Sequence, residues 1–118
     1  MSLQFFDWEI DGITVLHLTG RLTLGDGTAV FRKLLHDTLA SGKKRIVLDM
    51  SEVYYVDSTG LGELVAANTT VLRHGGKLAL SRLTQRVQDL VQLTKVYRVV
   101  DVFENEQAAV QSLAAKPD

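Results

Sequence analysis

Apolar residues along the chain alternate between two spacings, and this change of period predicts an α/β fold. Two runs of aromatic and β-branched residues, 3–10 and 13–19, flank Asp11-Gly12. That dipeptide is typical of a tight hairpin turn, because glycine tolerates a positive φ. Apolar residues at helical spacing then fill one face of residues 28–40. The first part of the chain therefore predicts an antiparallel hairpin followed by a helix.

The rest of the chain repeats this strand–helix alternation. Short apolar runs typical of buried strands occur at residues 46–48, 53–56, 78–80 and 99–103. A helical face follows the second, third and fourth of these runs, and Thr84 and Asn105 are placed to cap the last two helices. The order β-β-α-β-α-β-α-β-α predicts an α/β fold with an open, mixed, mostly parallel sheet, an N-terminal antiparallel hairpin and about four helices. In such sheets, ligands and partners usually meet the loops at the carboxyl ends of the strands.

Composition narrows the class of protein. The 118 residues fit one domain, 1–118, and 46% of them are hydrophobic. A formal net charge of -1 gives no broad footprint for nucleic acid. The chain has no cysteine, which excludes disulfides and thiolate metal sites. No signal peptide and no membrane-length apolar run is evident, so we expect a cytoplasmic protein without direct membrane insertion.

The segment from Asp57 to Gly62, with the sequence Asp-Ser-Thr-Gly-Leu-Gly, lies between a strand-like and a helix-like segment. Ser58 is a candidate N-cap, because its hydroxyl can accept a hydrogen bond from the first helical turn. Capping does not account for the glycines at 60 and 62, each of which costs a helix roughly 1 kcal/mol relative to alanine. Glycines also leave Ser58 open to a visiting molecule, and a helix N-terminus accommodates an anion. The neighbouring negative charge of Asp57 opposes such an anion.

Three enzyme-like patterns in the chain are incomplete. The glycine of the Asp-Ser-Thr-Gly stretch comes one residue too late for an aspartic protease. Gly60-Leu61-Gly62 lacks the third glycine of a dinucleotide fingerprint, because that position is Val65. No basic residue is placed to activate Ser58 as a nucleophile. The three histidines, His17, His36 and His74, do not have the spacing of metal ligands. We therefore expect no enzymatic activity, no metal and no cofactor.

Two further features lie next to this motif. The segment Gly20–Gly27 is predicted to be a loop, either a flexible turn or a partner-contacting loop. In the second interpretation Arg21 meets an acidic group or a phosphate, and Asp26 meets a basic group. Tyr54 and Tyr55 are adjacent on a strand, so they are predicted to point to opposite faces, with one in the core and the other exposed beside Ser58.

Together these segments resemble the STAS domain family, and within it the stand-alone anti-sigma factor antagonists. The resemblance is carried by Gly20-Arg21-Leu22, by Ile46-Val47-Leu48-Asp49 and above all by the stretch from Val53 to Gly62. Gly76-Lys77-Leu78, Leu90 to Leu93, Phe103 and Ala108-Ala109 continue the pattern over nearly the whole chain. The Asp-Ser-x-Gly-Leu-Gly core is the most specific part.

The resemblance implies a switch of protein partners. In that family the unphosphorylated antagonist binds an anti-sigma factor that is also a serine kinase, and a sigma factor is released. Phosphorylation of the motif serine, here Ser58, inactivates the antagonist, and a serine phosphatase resets it. Thr59 is a second, less favoured phosphoacceptor. The implied partner-binding residues are Arg21, Thr23, Gly25, Asp26, Tyr54, Asp57, Ser58, Gly60, Leu61 and Gly62.

Two alternatives stay open at this point. STAS modules also serve transporters, lipid-transport assemblies and stress-signalling complexes, where Ser58 would be only a cap. A nucleotide-binding module could use the Gly25-Asp26-Gly27 and Gly60-Leu61-Gly62 loops. The chain also departs from the family, which often has an acidic residue soon after the Gly-Arg-Leu stretch. Asp26 is the nearest substitute here, in a shifted loop.

Overall fold

A computed structural model describes residues 3–114, so both ends of the predicted domain 1–118 lie outside the described residues. The elements follow the predicted order. They are β1 (Leu3–Ile10), β2 (Ile13–Leu22), α1 (Asp26–Ala40), β3 (Arg45–Val56), α2 (Ser58–Arg73), β4 (Lys77–Ser81), α3 (Gln85–Thr94), β5 (Asp101–Phe103) and α4 (Glu106–Ala114). A short 3₁₀ turn, Val96–Arg98, joins α3 to β5.

The five strands form one sheet in the order β1-β2-β3-β4-β5. β1 pairs with β2 antiparallel, and every later pair is parallel. Because the parallel strands follow one another in sequence order, right-handed crossovers place α1, α2 and α3 on the same face of the sheet. The predicted fold class is therefore confirmed.

Each face of the sheet has its own hydrophobic core. The larger core joins α1, α2 and α3 to alternate strand residues such as Leu16, Leu48 and Leu80, all fully buried. On the opposite face, the α4 residues Ala109 and Leu113 form a smaller cluster with strand residues such as Val15 and Val47. A helix of 9 residues is only about 14 Å long, so α4 covers only part of this face.

The predicted loop from Gly20 to Gly27 is wrong at both ends. β2 continues through Arg21 and Leu22, because these residues pair with the end of β3, and α1 already begins at Asp26. Only residues 23–25 connect the two elements. The two apolar runs predicted at 46–48 and 53–56 are likewise parts of one 12-residue strand.

β3 carries two register shifts against β2, one between His17 and Thr19 and one between Gly20 and Arg21. Such shifts insert an extra residue into one strand and change which face the following side chains point to. Across the second shift, Val53 and Tyr55 have partners on β2 but Tyr54 does not. The prediction that one of the two tyrosines lies in the core is wrong, since Tyr54 is 55% and Tyr55 42% exposed.

A buried histidine cluster lies at the first register shift. His17 Nδ1 is 2.8 Å from Asp49 Oδ2, and Nε2 is 2.6 Å from Glu52 Oε1. The ring also stacks on Phe6, with 4.6 Å between centroids. A neutral imidazole has a single N–H, so hydrogen bonds to both carboxylates require the imidazolium. Burial is the largest influence and lowers the pKa of His17, but the bonds to Asp49 and Glu52 outweigh it and raise the pKa above 6.5.

This cluster predicts a fall in stability on the alkaline side. A histidine whose pKa is raised on folding makes its full contribution to stability at pH values below its unfolded-state pKa. That contribution is lost as the pH rises through the folded-state pKa. Urea unfolding should show the chain less stable at pH 9 than at pH 6 by about 1–2 kcal/mol, the scale of a charged hydrogen bond. The variant His17→Gln should lack this difference, whereas exposed His36→Gln should keep it. Equal stability of the unmodified chain at the two pH values would contradict the charged cluster.

Candidate functional site

The carboxylate of Asp57 joins two loops at the carboxyl edge of the sheet. Its Oδ1 accepts a hydrogen bond from the Gly60 N–H at 2.7 Å and its Oδ2 accepts one from the Leu24 N–H at 2.9 Å. The Asp57 N–H in turn donates to the Leu22 carbonyl at 3.4 Å. The connection after β2 is thereby fixed to the first turn of α2.

Asp57, and not Ser58, is the N-cap of α2, so the capping interpretation of Ser58 is wrong. Both residues are good capping types, but Asp57 has the extended backbone of a cap and Ser58 is already the first helical residue. The hydrogen bonds from the Leu24 and Gly60 N–H groups lower the pKa of Asp57 below 3.8. Asp57 is therefore ionised at neutral pH.

Gly60 is required by a close backbone approach. A Cβ at this position would lie 1.9 Å from the Leu22 carbonyl oxygen, which no side chain can accommodate without displacing the backbone. Gly62 differs, because a Cβ there would meet no atom within 4 Å. The first glycine thus lets α2 pack against the end of β2, and the second leaves the surface near Ser58 open.

Ser58 is exposed and begins α2, as predicted. The connection after β2, residues 23–25, and the start of α2, residues 57–62, lie side by side at the carboxyl ends of β2 and β3, an edge we call the rim. This confirms the predicted placement of the two loops. A phosphate on the Ser58 hydroxyl would meet the positive end of the α2 dipole. Thr59 is half-buried and so less exposed than Ser58.

The structure brings the predicted partner-binding residues to this rim at different depths. Exposed positions are Arg21, Gly25, Asp26, Tyr54, Ser58 and Gly62. Thr23 and Asp57 are half-buried. Gly60 lies under the Leu22 carbonyl and Leu61 is only 7% exposed, so these two support the surface from beneath.

Sequence reasoning missed two contributors to the rim. The backbone N–H of Leu24 holds the Asp57 carboxylate, which no side-chain pattern signals. Arg86, in the first turn of α3, places its guanidinium carbon 5.6 Å from the centre of the Tyr55 ring. It is separated from Tyr55 by a helix and a strand, so only the tertiary fold reveals the contact.

Residues 3–114 contain no group of three or more histidine and acidic side chains arranged to hold a metal ion. Within the same residues, no helix is long and apolar enough to cross a bilayer.

The chain belongs to the STAS domain family, whose model matches residues 8–109. It is 22% identical over 113 residues to the anti-sigma F factor antagonist of Paenibacillus polymyxa, covering 96% of this chain and 97% of that protein. It is 27% identical over 96 residues to the anti-sigma-B factor antagonist of Bacillus subtilis strain 168, covering 81% and 86% of the two chains.

Solved structures share the fold. A crystal structure of the Thermotoga maritima protein TM1081 matches with a TM-score of 0.86 and 25% identity, over 94% of this chain and 95% of that one. The phosphorylated form of the Bacillus cell fate determinant SpoIIAA matches with a TM-score of 0.68 and 15% identity, over 92% and 98% of the two chains.

The two glycines of α2 give a matched pair of variants. Gly60→Ala should destabilise the chain by about 1–3 kcal/mol, the usual cost of overpacking, because its Cβ meets the Leu22 carbonyl. Gly62→Ala should be neutral or stabilising by up to ~1 kcal/mol, since alanine is the better helix former. Thermal and urea unfolding of both variants measure the difference. Equal effects of the two substitutions would contradict the close approach at Gly60.

Substitution of Asp57 should loosen the connection after β2. Asp57→Asn keeps one acceptor oxygen and Asp57→Ala keeps none, so the amide hydrogen of Leu24 should exchange fastest in the alanine variant. A carboxyl group whose pKa is lowered on folding stabilises the fold at pH values above its unfolded-state pKa. That contribution is lost as the pH falls through the folded-state pKa. The stability difference between Asp57→Ala and the unmodified chain should therefore shrink in acid. Unchanged Leu24 exchange in Asp57→Ala, with exposed Asp101→Ala as the control, would contradict the bridge.

Proposed function

We propose that this chain is an anti-sigma factor antagonist switched by phosphorylation of Ser58. The observation that carries the proposal is the placement of an exposed serine at the start of α2, on a rim that the Asp57 carboxylate joins to the connection after β2. In this proposal the unphosphorylated rim binds an anti-sigma factor that is a serine kinase. Binding releases the sigma factor that the kinase had held.

The physical basis of the switch is charge at a packed interface. A phosphate adds about -1.5 to -2 charges at neutral pH, beside an Asp57 carboxylate that is already ionised. Burying these charges against a protein partner is unfavourable, through desolvation and repulsion. The positive end of the α2 dipole offsets part of the repulsion within the chain. Phosphorylation should therefore end partner binding while the fold persists.

The relatives support this proposal. Two chains of similar length, aligned over most of their residues, are named antagonists of anti-sigma factors F and B. SpoIIAA, which shares the fold, is known in a phosphorylated form. We extend the same scheme to the remaining partners, namely a serine phosphatase that removes the phosphate and a cytoplasmic setting in which kinase and phosphatase compete. The chain itself performs no catalysis in this scheme.

Two substitutions at Ser58 test the proposal. Ser58→Ala should change stability by less than about 0.5 kcal/mol, the usual range for an exposed site, because Asp57 makes the cap hydrogen bond. It should bind the anti-sigma factor as the unmodified chain does and should not be inactivated by the kinase. Ser58→Glu adds one negative charge and should weaken binding about tenfold or more, with little change in melting temperature.

The measurement is calorimetric titration against each serine-kinase anti-sigma factor encoded in the same genome, together with thermal melting. Thr59→Ala is the matched hydroxyl control and should remain fully switchable. Equal affinities of folded Ser58→Ala and Ser58→Glu would refute a charge switch at Ser58. Binding to none of these anti-sigma factors would refute the proposed partner.

A further inference from the structure

A cationic cleft opens beside the Ser58 rim. It is an open depression of about 520 Å³ lined by Arg21, Tyr54, Tyr55 and Arg86, a set we call the Arg–Tyr cleft. Arg21 immediately precedes Leu22, whose carbonyl accepts the Asp57 N–H. The cleft therefore adjoins the backbone contact between the end of β2 and the start of α2.

The length of β3 creates this cleft. β4 pairs only with residues 45–49 of β3, so the tyrosines at 54 and 55 lie on a part of the strand that extends beyond it. The N-terminus of α3 fills the space beside this extension, where the Thr84 hydroxyl lies 3.4 Å from the Val53 carbonyl oxygen. Arg86 in the first turn of α3 thus contacts Tyr55. Tyr55 is in turn the register partner of Arg21 on β2.

The two arginines of the cleft differ from others nearby in having no acidic partner. Arg32 pairs with Glu63 and Arg82 with Asp49, but within residues 3–114 no carboxylate forms an ion pair with Arg21 or Arg86. The first turn of α3 also has no acidic residue, so the positive end of its dipole adds to the field. Guanidinium groups only donate hydrogen bonds and a tyrosine O–H can also donate one, so the lining complements an anion.

We propose that the Arg–Tyr cleft binds a carboxylate side chain, Asp or Glu, on an acidic segment of the anti-sigma factor; this inference rests on the proposed function. A forked guanidinium matches a carboxylate in geometry as well as charge. One face of Tyr55 is already covered by Arg86, which leaves less aromatic surface for stacking a nucleotide base. The same acidic segment is the part of the partner that a phosphate on Ser58 would repel, because both lie on one rim.

Charge variants of Arg86 test the cleft in the complex. Arg86→Ala should weaken binding of the anti-sigma factor about fivefold to tenfold, and Arg86→Glu more strongly still, with both losses shrinking as salt rises. The matched control is Arg45→Ala, an exposed arginine at the opposite end of β3, which should bind as the unmodified chain does. Unchanged affinity of Arg86→Glu would overturn the proposal. If Ser58→Glu still weakens binding in that case, the proposed function stands and only the cleft assignment falls.

A titration without the kinase tests the ligand chemistry directly. Acetylated tetraglutamate amide is added to the isotope-labelled chain, with the tetraglutamine peptide as the neutral control and inorganic phosphate as a separate arm. The acidic peptide should shift the side-chain Nε–H signals of Arg21 and Arg86, and Arg86→Ala should remove most of the response. No shift with tetraglutamate, or tighter binding of inorganic phosphate than of the peptide, would overturn the carboxylate assignment.

Discussion

The arrangement of the rim depends on one carboxylate that accepts two backbone N–H groups from different parts of the chain. Asp57 satisfies Gly60 in the first turn of α2 and Leu24 in the connection after β2. Without this bridge the two segments would be linked only by the weaker backbone contact at Leu22 and by packing. The bridge explains why an aspartate directly precedes the exposed serine. Its charge is compensated by the two donors, so it lies beside Ser58 without destabilising the start of α2.

The length and irregularity of β3 decide what surrounds this bridge. The strand runs past β4, and its two register shifts turn both tyrosines outward and bring Glu52 to His17. The end of β3 near the rim therefore carries two exposed tyrosines, and the histidine cluster lies further back along β2 and β3. We infer that the cluster fixes the pairing of β2 with β3, with Glu52 lying five residues before Asp57.

Much of this architecture could be predicted from the sequence, because alternating periods of 2 and 3.6 report which faces are buried. The element order, the exposed Ser58 at a helix start and the shared rim are confirmed on that basis. The cap could not be assigned, because aspartate and serine are both capping residues and the choice depends on where the backbone turns from extended to helical. The prediction for the two tyrosines is wrong because a register shift is a property of the strand pair and not of one strand. Arg86 reaches the rim only through the packing of α3.

The proposed switch acts through charge on a preformed surface, not through unfolding. The most direct test is the affinity of the anti-sigma factor for chain phosphorylated by that kinase, with the phosphate mapped to Ser58 by mass spectrometry and the melting temperature recorded for both forms. We expect the phosphorylated chain to stay folded and its affinity for the partner to fall tenfold or more (~1.4 kcal/mol per tenfold), and we base this switch on uncompensated charge in the interface. Undiminished affinity of the Ser58-phosphorylated chain would contradict it.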